Sequence, residues 1–191
     1  MRASDMADLY VALVHWPVKN KQGEIVTTSI TTIDIHDIAR SCRTFGVRAF
    51  YIVTPVDALR ALARKIISHW CRGPGANYNP NRKEALDLAR LQKTIEGVEI
   101  DIEEETGSTP VLVATSAQGL NGASSFAEVR AMLESSDRPH LLILGTGWGL
   151  SEQVTERTDI SLEPIGGADA YNHLSVRAAA AILLDRLKGT R

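Results

Sequence analysis

HLLILGTGWGLSEQV, residues 140–154, joins a short apolar run to a loop in which every second residue is glycine. The run Leu141–Leu144 is typical of a strand that is buried on both faces of a sheet. Because glycine has no Cβ, such a loop lets main-chain N–H and C=O groups approach a ligand closely. We therefore predict a strand followed at once by a ligand-contacting loop, with its glycines at Gly145, Gly147 and Gly149.

A second stretch, ISLEPIGGADAYNHLSVRAAAAILLDRL at residues 160–187, has the same arrangement. Ile160–Ile165 predicts a short strand, the following glycines predict a loop, and the Ala-rich segment predicts a helix opened by Asn172 and Ser175. In a parallel sheet, loops at the carboxyl ends of neighbouring strands meet in a crevice where ligands bind. The two loops together predict a ligand site in the last third of the sequence.

Apolar runs of strand length alternate with helical periodicity along the rest of the chain, which predicts an α/β fold with a mostly parallel sheet flanked by helices. Asp34 is the expected N-cap of the first helix, and Gly46 is expected to end it. The segment Cys71–Asn81, rich in Gly, Pro and Asn, predicts an irregular loop. The predicted strands are Leu9–Trp16, Ala49–Val53 and Val111–Thr115, and the predicted helices are Asp34–Phe45, Val56–Trp70, Arg82–Leu91 and Phe126–Leu133.

The composition is that of an ordinary folded domain. The chain has 191 residues, 44% of them hydrophobic and 23% charged, so we expect a single domain spanning residues 1–191. Its two cysteines have neither metal-ligand spacing nor a disulfide framework. No apolar run approaches the roughly 20 residues of a membrane span. We therefore expect a cytoplasmic protein with no membrane segment and no metal site.

The net charge of −2 gives no general support for nucleic-acid binding, but the charges are unevenly distributed. Val56–Lys93 holds eight basic and three acidic residues, and residues 96–105 hold six acidic ones. The basic segment indicates either a face that meets phosphates or ordinary solvated helix surfaces. Trp70, Asn77, Tyr78 and Asn79 lie in or beside a loop of this segment, and they suit single-stranded RNA and an ordinary surface loop equally well.

Several segments resemble motifs of the SPOUT RNA methyltransferases, most closely the branch that methylates ribose 2′-hydroxyls. The family binds S-adenosylmethionine in a deep C-terminal trefoil knot and acts as a homodimer on tRNA or rRNA, so the resemblance implies these properties here. It leaves the middle region, about 56–109, without a counterpart. The segments are DIHDIARSCRTFGV (34–47), TSAQG (115–119), GTGWGLSEQV (145–154), LEPIGG (162–167) and NHLSVRAAAAILL (172–184).

Arg40 corresponds to an active-site arginine in the first motif of the family. The resemblance implies that Arg40 helps to deprotonate the ribose hydroxyl. Because a guanidinium rarely gives up its proton, its chemistry fits better with binding the phosphate beside the reacting nucleotide and stabilising the developing oxyanion. Ser175, together with Asn172, falls in the third motif and is implied to lie near cofactor and acceptor. The residues by themselves also fit simpler roles, with Arg40 on a solvated helix face and with Asn172 and Ser175 as helix caps.

The chain departs from the family pattern at three places. Asp34 and His36 replace an Asn and a Gly of the first motif, and a Glu that is usual in the second motif is missing. His36 lies one helical turn from Arg40, where it is either a general base near neutral pH or a capping or surface histidine. These departures leave the acceptor atom open between a ribose oxygen and a base nitrogen.

The loops implied to hold S-adenosylmethionine offer main-chain groups to the edges of adenine and apolar side chains to its faces. Tyr171, beside the third loop, could stack on an unpaired base. The residues implied to bind the cofactor are Thr115, Ser116, Gly119, Leu144, Gly145, Thr146, Gly147, Gly149, Leu150, Pro164, Ile165, Gly166, Leu174, Ser175 and Ala179.

The function predicted from the sequence is metal-free methyl transfer from S-adenosylmethionine to a nucleotide of tRNA or rRNA. An alternative is a catalytically inactive knotted protein that binds RNA or assists assembly. A further alternative is an unknotted doubly wound enzyme in which GTGWG binds a phosphorylated ligand.

Overall fold

The computed structural model describes residues 6–169 and 171–190. Six of its eight strands form one sheet in which every pair of neighbours runs parallel, and the other two, β2 and β3, form an antiparallel ribbon. This confirms the predicted α/β class. The strands are β1 (Leu9–Val14), β2 (Val18–Lys19), β3 (Ile25–Val26), β4 (Phe50–Val53), β5 (Ala89–Gln92), β6 (Val111–Ala114), β7 (His140–Gly145) and β8 (Ile160–Ser161).

The strand order of the sheet is β5-β4-β1-β7-β6-β8. The chain moves outward from β1 to β4 and β5 on one side, and then crosses to β6, β7 and β8 on the other. The order therefore reverses between β1 and β7. A parallel sheet opens a crevice at the carboxyl ends of its strands at such a reversal, because the loops after the two strands lead in opposite directions.

Helices cover both faces of the sheet, which explains why its central strands are apolar throughout. Leu9, Val11 and Leu13 of β1 pack on one face with α1, α4, α6 and α8, whereas Tyr10 and Val14 pack on the other with α5 and α7. The helices are α1 (Thr32–Thr44), α2 (Asp57–Cys71), α3 (Pro74–Tyr78), α4 (Pro80–Leu86), α5 (Ile95–Thr106), α6 (Phe126–Ser135), α7 (Glu152–Thr155) and α8 (Val176–Lys188).

The start of α1 differs from the prediction. Thr31, not Asp34, is the N-cap, since the Thr31 hydroxyl oxygen accepts a hydrogen bond from the Asp34 amide at 3.2 Å. The same hydroxyl donates to the Asp34 carboxylate at 2.6 Å. Asp34 therefore lies inside the first turn. The predicted end is confirmed, because Gly46 follows the helix with a φ of +68° that favours glycine.

The middle of the chain also differs from the prediction. The expected loop Cys71–Asn81 contains α3 and the start of α4, and the expected helix Arg82–Leu91 ends at Leu86 and gives way to β5. Proline is favoured in the first turn of a helix, where its missing N–H costs nothing, so Pro74 and Pro80 begin helices here. Hydrogen bonds to β4 define β5, and these pairing partners lie far apart in sequence.

Other elements agree with the prediction except at their ends. β1 and β6 stop at Val14 and Ala114, a residue or two before the predicted limits, and α6 extends to Ser135. The last predicted strand, Ile160–Ile165, is regular only over Ile160–Ser161. The trefoil knot stays a prediction. No helix of the described residues is long and apolar enough to cross a membrane.

Candidate active site

A cleft of about 790 Å³ lies at the carboxyl ends of β1 and β7, where the strand order reverses. Its walls come from the loop after β6, the loop after β7, the residues after β8 and the first turn of α8. Clefts of roughly 300–1,000 Å³ are typical of small-molecule and cofactor sites. The two glycine-bearing loops singled out in the sequence therefore meet at one crevice.

The floor of the cleft is a chain of hydrogen bonds between three elements. His15 Nδ1 lies 3.1 Å from the hydroxyl of Thr28, and that hydroxyl lies 2.5 Å from the hydroxyl of Thr146. The Thr146 hydroxyl in turn donates to the carbonyl of Val14 at 2.9 Å. Burial lowers the pKa of His15 to about 4, so its ring is neutral at physiological pH. The network fixes the loop after β7 to the end of β1.

The glycines of the loop after β7 allow a tight turn. A Cβ on Gly145 would lie 2.6 Å from the Leu150 amide nitrogen, and Gly147 and Gly149 have φ values of +62° and +105°. Main-chain hydrogen bonds with Lys19 hold the turn in place, at 2.9 Å each from the Trp148 amide to the Lys19 carbonyl and from the Lys19 amide to the Gly149 carbonyl. The loop is a rigid cradle of main-chain groups.

Asn172 and Ser175 have different roles in the structure. Asn172 Nδ2 donates to the Ala117 carbonyl at 2.8 Å, which joins the loop after β6 to the segment before α8. Ser175 alone is the N-cap of α8, where its hydroxyl accepts from the Ala178 amide at 3.4 Å. The prediction that Asn172 helps to open the helix is wrong, because its side chain is committed to another loop.

Most of the residues implied to bind the cofactor line the cleft. Gly119 and Gly166 do not, although Gly119 packs close to Pro164, which does. The predicted residues in the lining are Thr115, Ser116, Leu144, Gly145, Thr146, Gly147, Gly149, Leu150, Pro164, Ile165, Asn172, Leu174, Ser175 and Ala179.

Further residues that the sequence analysis did not assign to the cofactor site also line the cleft. They come from the ribbon after β1 and the segment that follows it, from α1, from the aromatic position between two glycines, from α7, from the residues after β8 and from the start of α8. All but Lys19 and Thr28 lie within the motif segments quoted above. The ion pair between Asp34 and Arg177 could not be predicted, because the two residues lie far apart in the sequence. These residues are Lys19, Thr28, Asp34, Trp148, Glu152, Glu163, His173 and Arg177.

Arg177 links the cleft to α1. Its guanidinium lies 3.6 Å from an Asp34 carboxylate oxygen and 3.5 Å from one of Asp37. The Asp34 side chain is 13% exposed, whereas those of Arg177 and Asp37 are 41% and 45% exposed. The cleft thus has a sheltered carboxylate at one side, with a half-exposed cation beside it.

Arg40 does not line this cleft. It is exposed on α1 and lies in a separate groove of about 480 Å³ between α1 and α8, together with Arg177, Ala178 and Ala181. Arg40 and the loops after β6 and β7 are therefore not in one cavity of a single subunit. Arg177 lines both cavities, so the groove that holds Arg40 adjoins the cleft.

His36 does not line the cleft either. Its ring contacts Trp70 edge-on at 5.5 Å between centroids, and Arg82 lies over the same indole at 4.4 Å. Burial, and then the charge of Arg82, lowers the pKa of His36. This arrangement favours a packing role over that of a general base.

Much of the basic charge in the middle region is compensated within the molecule. Apart from the pair of Arg60, whose guanidinium is buried, the ion pairs involved contribute little to stability, roughly 0–1 kcal/mol each. They nevertheless reduce the charge available to RNA. Arg64 and Lys65 remain exposed on α2. The ion pairs of the basic and acidic segments include Arg60–Asp57, Lys83–Asp87, Arg90–Glu105, Arg157–Glu96 and Arg157–Glu99.

A family model described as SAM-dependent RNA methyltransferase matches residues 8–189 of the chain. The chain belongs to this family. The match covers the whole sheet and every wall of the cleft, including the middle region that had no counterpart in the sequence motifs. The resemblance to RNA methyltransferases and the assignment of S-adenosylmethionine as cofactor are confirmed.

Individual relatives agree with the family. A protein of Oleidesulfovibrio alaskensis named tRNA (guanine-N(1)-)-methyltransferase is 48% identical over 182 residues, which are 95% of this chain and 42% of that protein. The chain thus spans about two fifths of that relative's length. An uncharacterized protein of Aquifex aeolicus is 42% identical over 180 residues, 94% of this chain and 88% of that protein.

The fold is that of known SpoU methyltransferases. The crystal structure of the SpoU methyltransferase AviRb from Streptomyces viridochromogenes in complex with the cofactor AdoMet matches with a TM-score of 0.57. The sequence identity is 18%, and the match covers 95% of this chain and 57% of that one. At this identity the likeness concerns the fold.

The cleft suits S-adenosylmethionine chemically. The molecule has an apolar adenine face, hydrogen-bonding edges and a positively charged sulfonium, and the cleft offers Leu150 and Ile165, main-chain groups, and the carboxylates of Asp34, Glu152 and Glu163. Across residues 6–169 and 171–190, no group of three or more His, Cys, Asp or Glu side chains is arranged to hold a metal ion.

Proposed function

We propose that this chain methylates a nucleotide of tRNA with S-adenosylmethionine, as a metal-free cytoplasmic homodimer. The observation that carries the proposal is that the family match over residues 8–189 coincides with a cleft built from glycine loops at the reversal of the strand order. The name of the relative from Oleidesulfovibrio alaskensis favours tRNA over rRNA.

The main-chain groups of residues 145–150 and 115–118 would hold the cofactor in the cleft. Bound S-adenosylmethionine supplies an electrophilic methyl group on a sulfonium. Leu150, Ile165 and Leu174 would cover the faces of its adenine, and the carboxylate of Asp34 would offset positive charge. The pinned loop after β7 fixes these groups in advance, so they would orient a bound cofactor without a rearrangement of the loop.

Arg40 would act on the acceptor from a second subunit. It lies outside the cleft of its own subunit, in the groove between α1 and α8, where the small side chains of Ala178 and Ala181 permit close approach of another chain. A guanidinium binds phosphate strongly, and it stabilises an oxyanion that develops as the acceptor loses its proton. Homodimer formation through this groove would therefore complete the site.

Ser175 and Asn172 have hydrogen-bonding capacity left for a substrate. The Ser175 oxygen accepts from an amide, so its hydroxyl hydrogen stays free to donate. Asn172 uses its amide nitrogen toward Ala117, so its side-chain oxygen stays free to accept. Both residues line the cleft, and we infer that they orient the acceptor nucleotide.

The acceptor atom is either a ribose oxygen or a base nitrogen. The name of the relative from Oleidesulfovibrio alaskensis gives guanine N1 as the methylated atom, but more than half of that protein lies outside the match. A sheltered carboxylate at Asp34 suits removal of a proton from a base nitrogen. Mass spectrometry of the methylated nucleoside and of its free base distinguishes the two acceptors. A methyl group on a base nitrogen stays with the free base, whereas one on a ribose oxygen is lost with the sugar.

The purified chain is incubated with tRNA from a strain that lacks the gene and with isotopically labelled S-adenosylmethionine, followed by nucleoside mass spectrometry. We expect one labelled methylated nucleoside. Arg40→Ala should lower kcat by about 100-fold, as loss of one charged transition-state contact does, and leave cofactor affinity unchanged.

Arg43→Ala, on the same helix but paired with Glu84, is the matched control and should retain activity. Cofactor binding without methylation of tRNA or rRNA would instead support the inactive RNA-binding or assembly protein. Equal loss of cofactor affinity and activity in Arg40→Ala would contradict the role of Arg40.

A further inference from the structure

Three aromatic rings form a cluster at the mouth of the cleft. The ring centroids of Trp148 and His173 lie 6.1 Å apart with planes at 73°, and those of Tyr171 and His173 lie 5.3 Å apart at 71°. Trp148 is 50% exposed and Tyr171 is 73% exposed. Because the rings meet edge to face, neither exposed ring stacks flat on His173. The cluster is therefore open to a planar partner.

The chain holds Trp148 in this exposed position. Its amide donates to the Lys19 carbonyl at 2.9 Å, and the flanking Gly147 and Gly149 adopt left-handed conformations. A Cβ on Gly147 would lie 3.0 Å from that same carbonyl, so the turn fits closely against the ribbon after β1. An exposed indole on a pinned turn is not explained by packing of the core.

The other two rings are also on a constrained segment. The Tyr171 amide donates to the Asp169 carboxylate at 2.8 Å, and the adjacent Asn172 is tied to Ala117 across the cleft. Trp148 and His173 both line the cleft. The cluster is thus continuous with the candidate cofactor site.

We propose that Trp148, His173 and Tyr171 form a stacking platform for the unstacked base of the RNA nucleotide that is methylated. The inference rests on the proposed function and adds the position of its substrate. Aromatic side chains bind unpaired bases by stacking on their faces, and such contacts tolerate any base. A base on this platform would lie at the rim of the cleft that receives the cofactor.

The cofactor and the RNA base would occupy different depths of the cleft. Leu144 and Leu150 are 2% and 4% exposed and line its inner part, which suits the adenine of the cofactor. The aromatic rings lie outward of them, at the surface. Lys19 lies beside Trp148, lines the same cleft and forms no ion pair with another described residue. Its ammonium group suits the phosphate next to a stacked base.

The test compares Trp148→Ala, Trp148→Phe and Tyr171→Ala with wild type, with bulk tRNA from a strain that lacks the gene as the probe. We expect Trp148→Ala to raise the KM for tRNA about tenfold, the size of one lost base–aromatic stack, with an unchanged Kd for S-adenosylmethionine. Trp148→Phe should restore most of the affinity. Ile100→Ala, an exposed residue of α5 outside the cleft, is the control and should change neither value.

Binding is also followed directly through tryptophan fluorescence. Stacking of a base on Trp148 should quench the wild-type signal on addition of tRNA, and Trp148→Phe should lose that part of the quench. An unchanged KM in Trp148→Ala, or a matching rise in its Kd for S-adenosylmethionine, overturns the proposal, since the latter means that the rings cover the cofactor.

The two proposals fail in different ways. If wild type methylates no RNA, the proposed function fails. Stacking of an RNA base on the cluster is then tested by itself. A tRNA-dependent quench that Trp148→Phe abolishes supports the stacking, with the stacked base no longer the methylated one, and the lack of such a quench overturns it.

Discussion

The cleft at the carboxyl ends of β1 and β7 and the middle region from α2 to α5 are held together in different ways. The loops of the cleft are fixed by main-chain hydrogen bonds, such as those between Lys19 and the turn after β7, together with short polar side chains such as Thr28 and Thr146 at its floor. The middle region relies on side chains, such as Arg90 bonded to Tyr51 and Glu105, and Arg82 over Trp70.

This difference separates a region that binds ligands from a region that stabilises the fold. Main-chain loops present N–H and C=O groups at fixed positions, which is what a polar ligand with an apolar ring requires. The side-chain pairs of the middle region satisfy one another and leave fewer groups for a ligand. We expect substitutions in the first region to change cofactor or RNA binding, and those in the second to change stability alone.

The largest effect is expected from Gly145→Ala. A Cβ at this position would lie 2.6 Å from the Leu150 amide nitrogen, so the turn after β7 must open. We expect affinity for S-adenosylmethionine to fall by about 100-fold, at the upper end of the cost of overpacking, as measured by calorimetry. Gly166→Ala is the control, because a Cβ there meets nothing within 4 Å. Wild-type affinity in Gly145→Ala would contradict the claim that this turn binds the cofactor.

The floor of the cleft should show a pH dependence of stability. The pKa of His15 is about 4 in the folded chain, because of burial, against 6.5 for the free side chain. Only the unfolded chain binds this proton as the pH falls below 6.5, so folded stability is lost down to about pH 4. Between pH 7.5 and 5 the loss should be about 2 kcal/mol, measured by urea unfolding.

His15→Gln isolates this contribution, because glutamine does not titrate. Over the same interval, the free energy of unfolding of the variant should fall by about 2 kcal/mol less than that of wild type. His36 and His140 also have lowered pKa values from burial and remain in the variant, so a smaller loss should persist. Parallel curves for the two proteins would mean that the pKa of His15 is the same in the folded and the unfolded chain, which would contradict the prediction.

In the middle region, Arg60→Ala tests whether a side chain contributes to stability but not to cofactor binding. The Arg60 guanidinium is buried and donates to the Thr54 carbonyl and to Asp57, and its removal leaves the carbonyl without that donor. We expect a loss of roughly 1–2 kcal/mol in the free energy of unfolding, measured in urea, with unchanged affinity for S-adenosylmethionine. Arg64→Ala, exposed on the same helix, should have wild-type stability. Weaker cofactor binding in Arg60→Ala would remove the distinction between the two regions.

The smallest effect is expected from Tyr78→Ala. Tyr78 is 87% exposed on α3, away from the residues that line the cleft. Exposed substitutions of this kind change free energies by about 0.5 kcal/mol or less, so affinity for tRNA should change less than about twofold in a filter-binding assay. A loss as large as that of Trp148→Ala would make the middle region part of the RNA surface.

The sequence predicted the cleft better than the middle region, for a physical reason. Gly145, Gly147 and Gly149 after an apolar strand encode a main-chain turn locally, and the structure has that turn. β5 could not be found in this way, since its residues are only half-buried and its pairing with β4 depends on distant sequence. The same limit applies to Asp34, whose partner Arg177 lies on the last helix.

Arg40 marks the boundary of what one chain can indicate. The segment around Arg40 resembles a family motif, and this resemblance predicted a role in the reaction. In the structure, however, Arg40 lies in the groove between α1 and α8, outside the cleft of its own subunit. A residue that acts across a subunit interface has no local signal for its target. The proposed homodimer would bring this groove to the cleft of the partner, and its formation is testable by light scattering.

A crystal structure of the chain grown with S-adenosylmethionine tests the central claim most directly. We predict density for the cofactor between residues 115–118, 145–150 and 163–165, with adenine beside Leu150 and Ile165. Cofactor bound at another position, or a cleft that stays empty at saturating cofactor, would contradict the assignment of these loops.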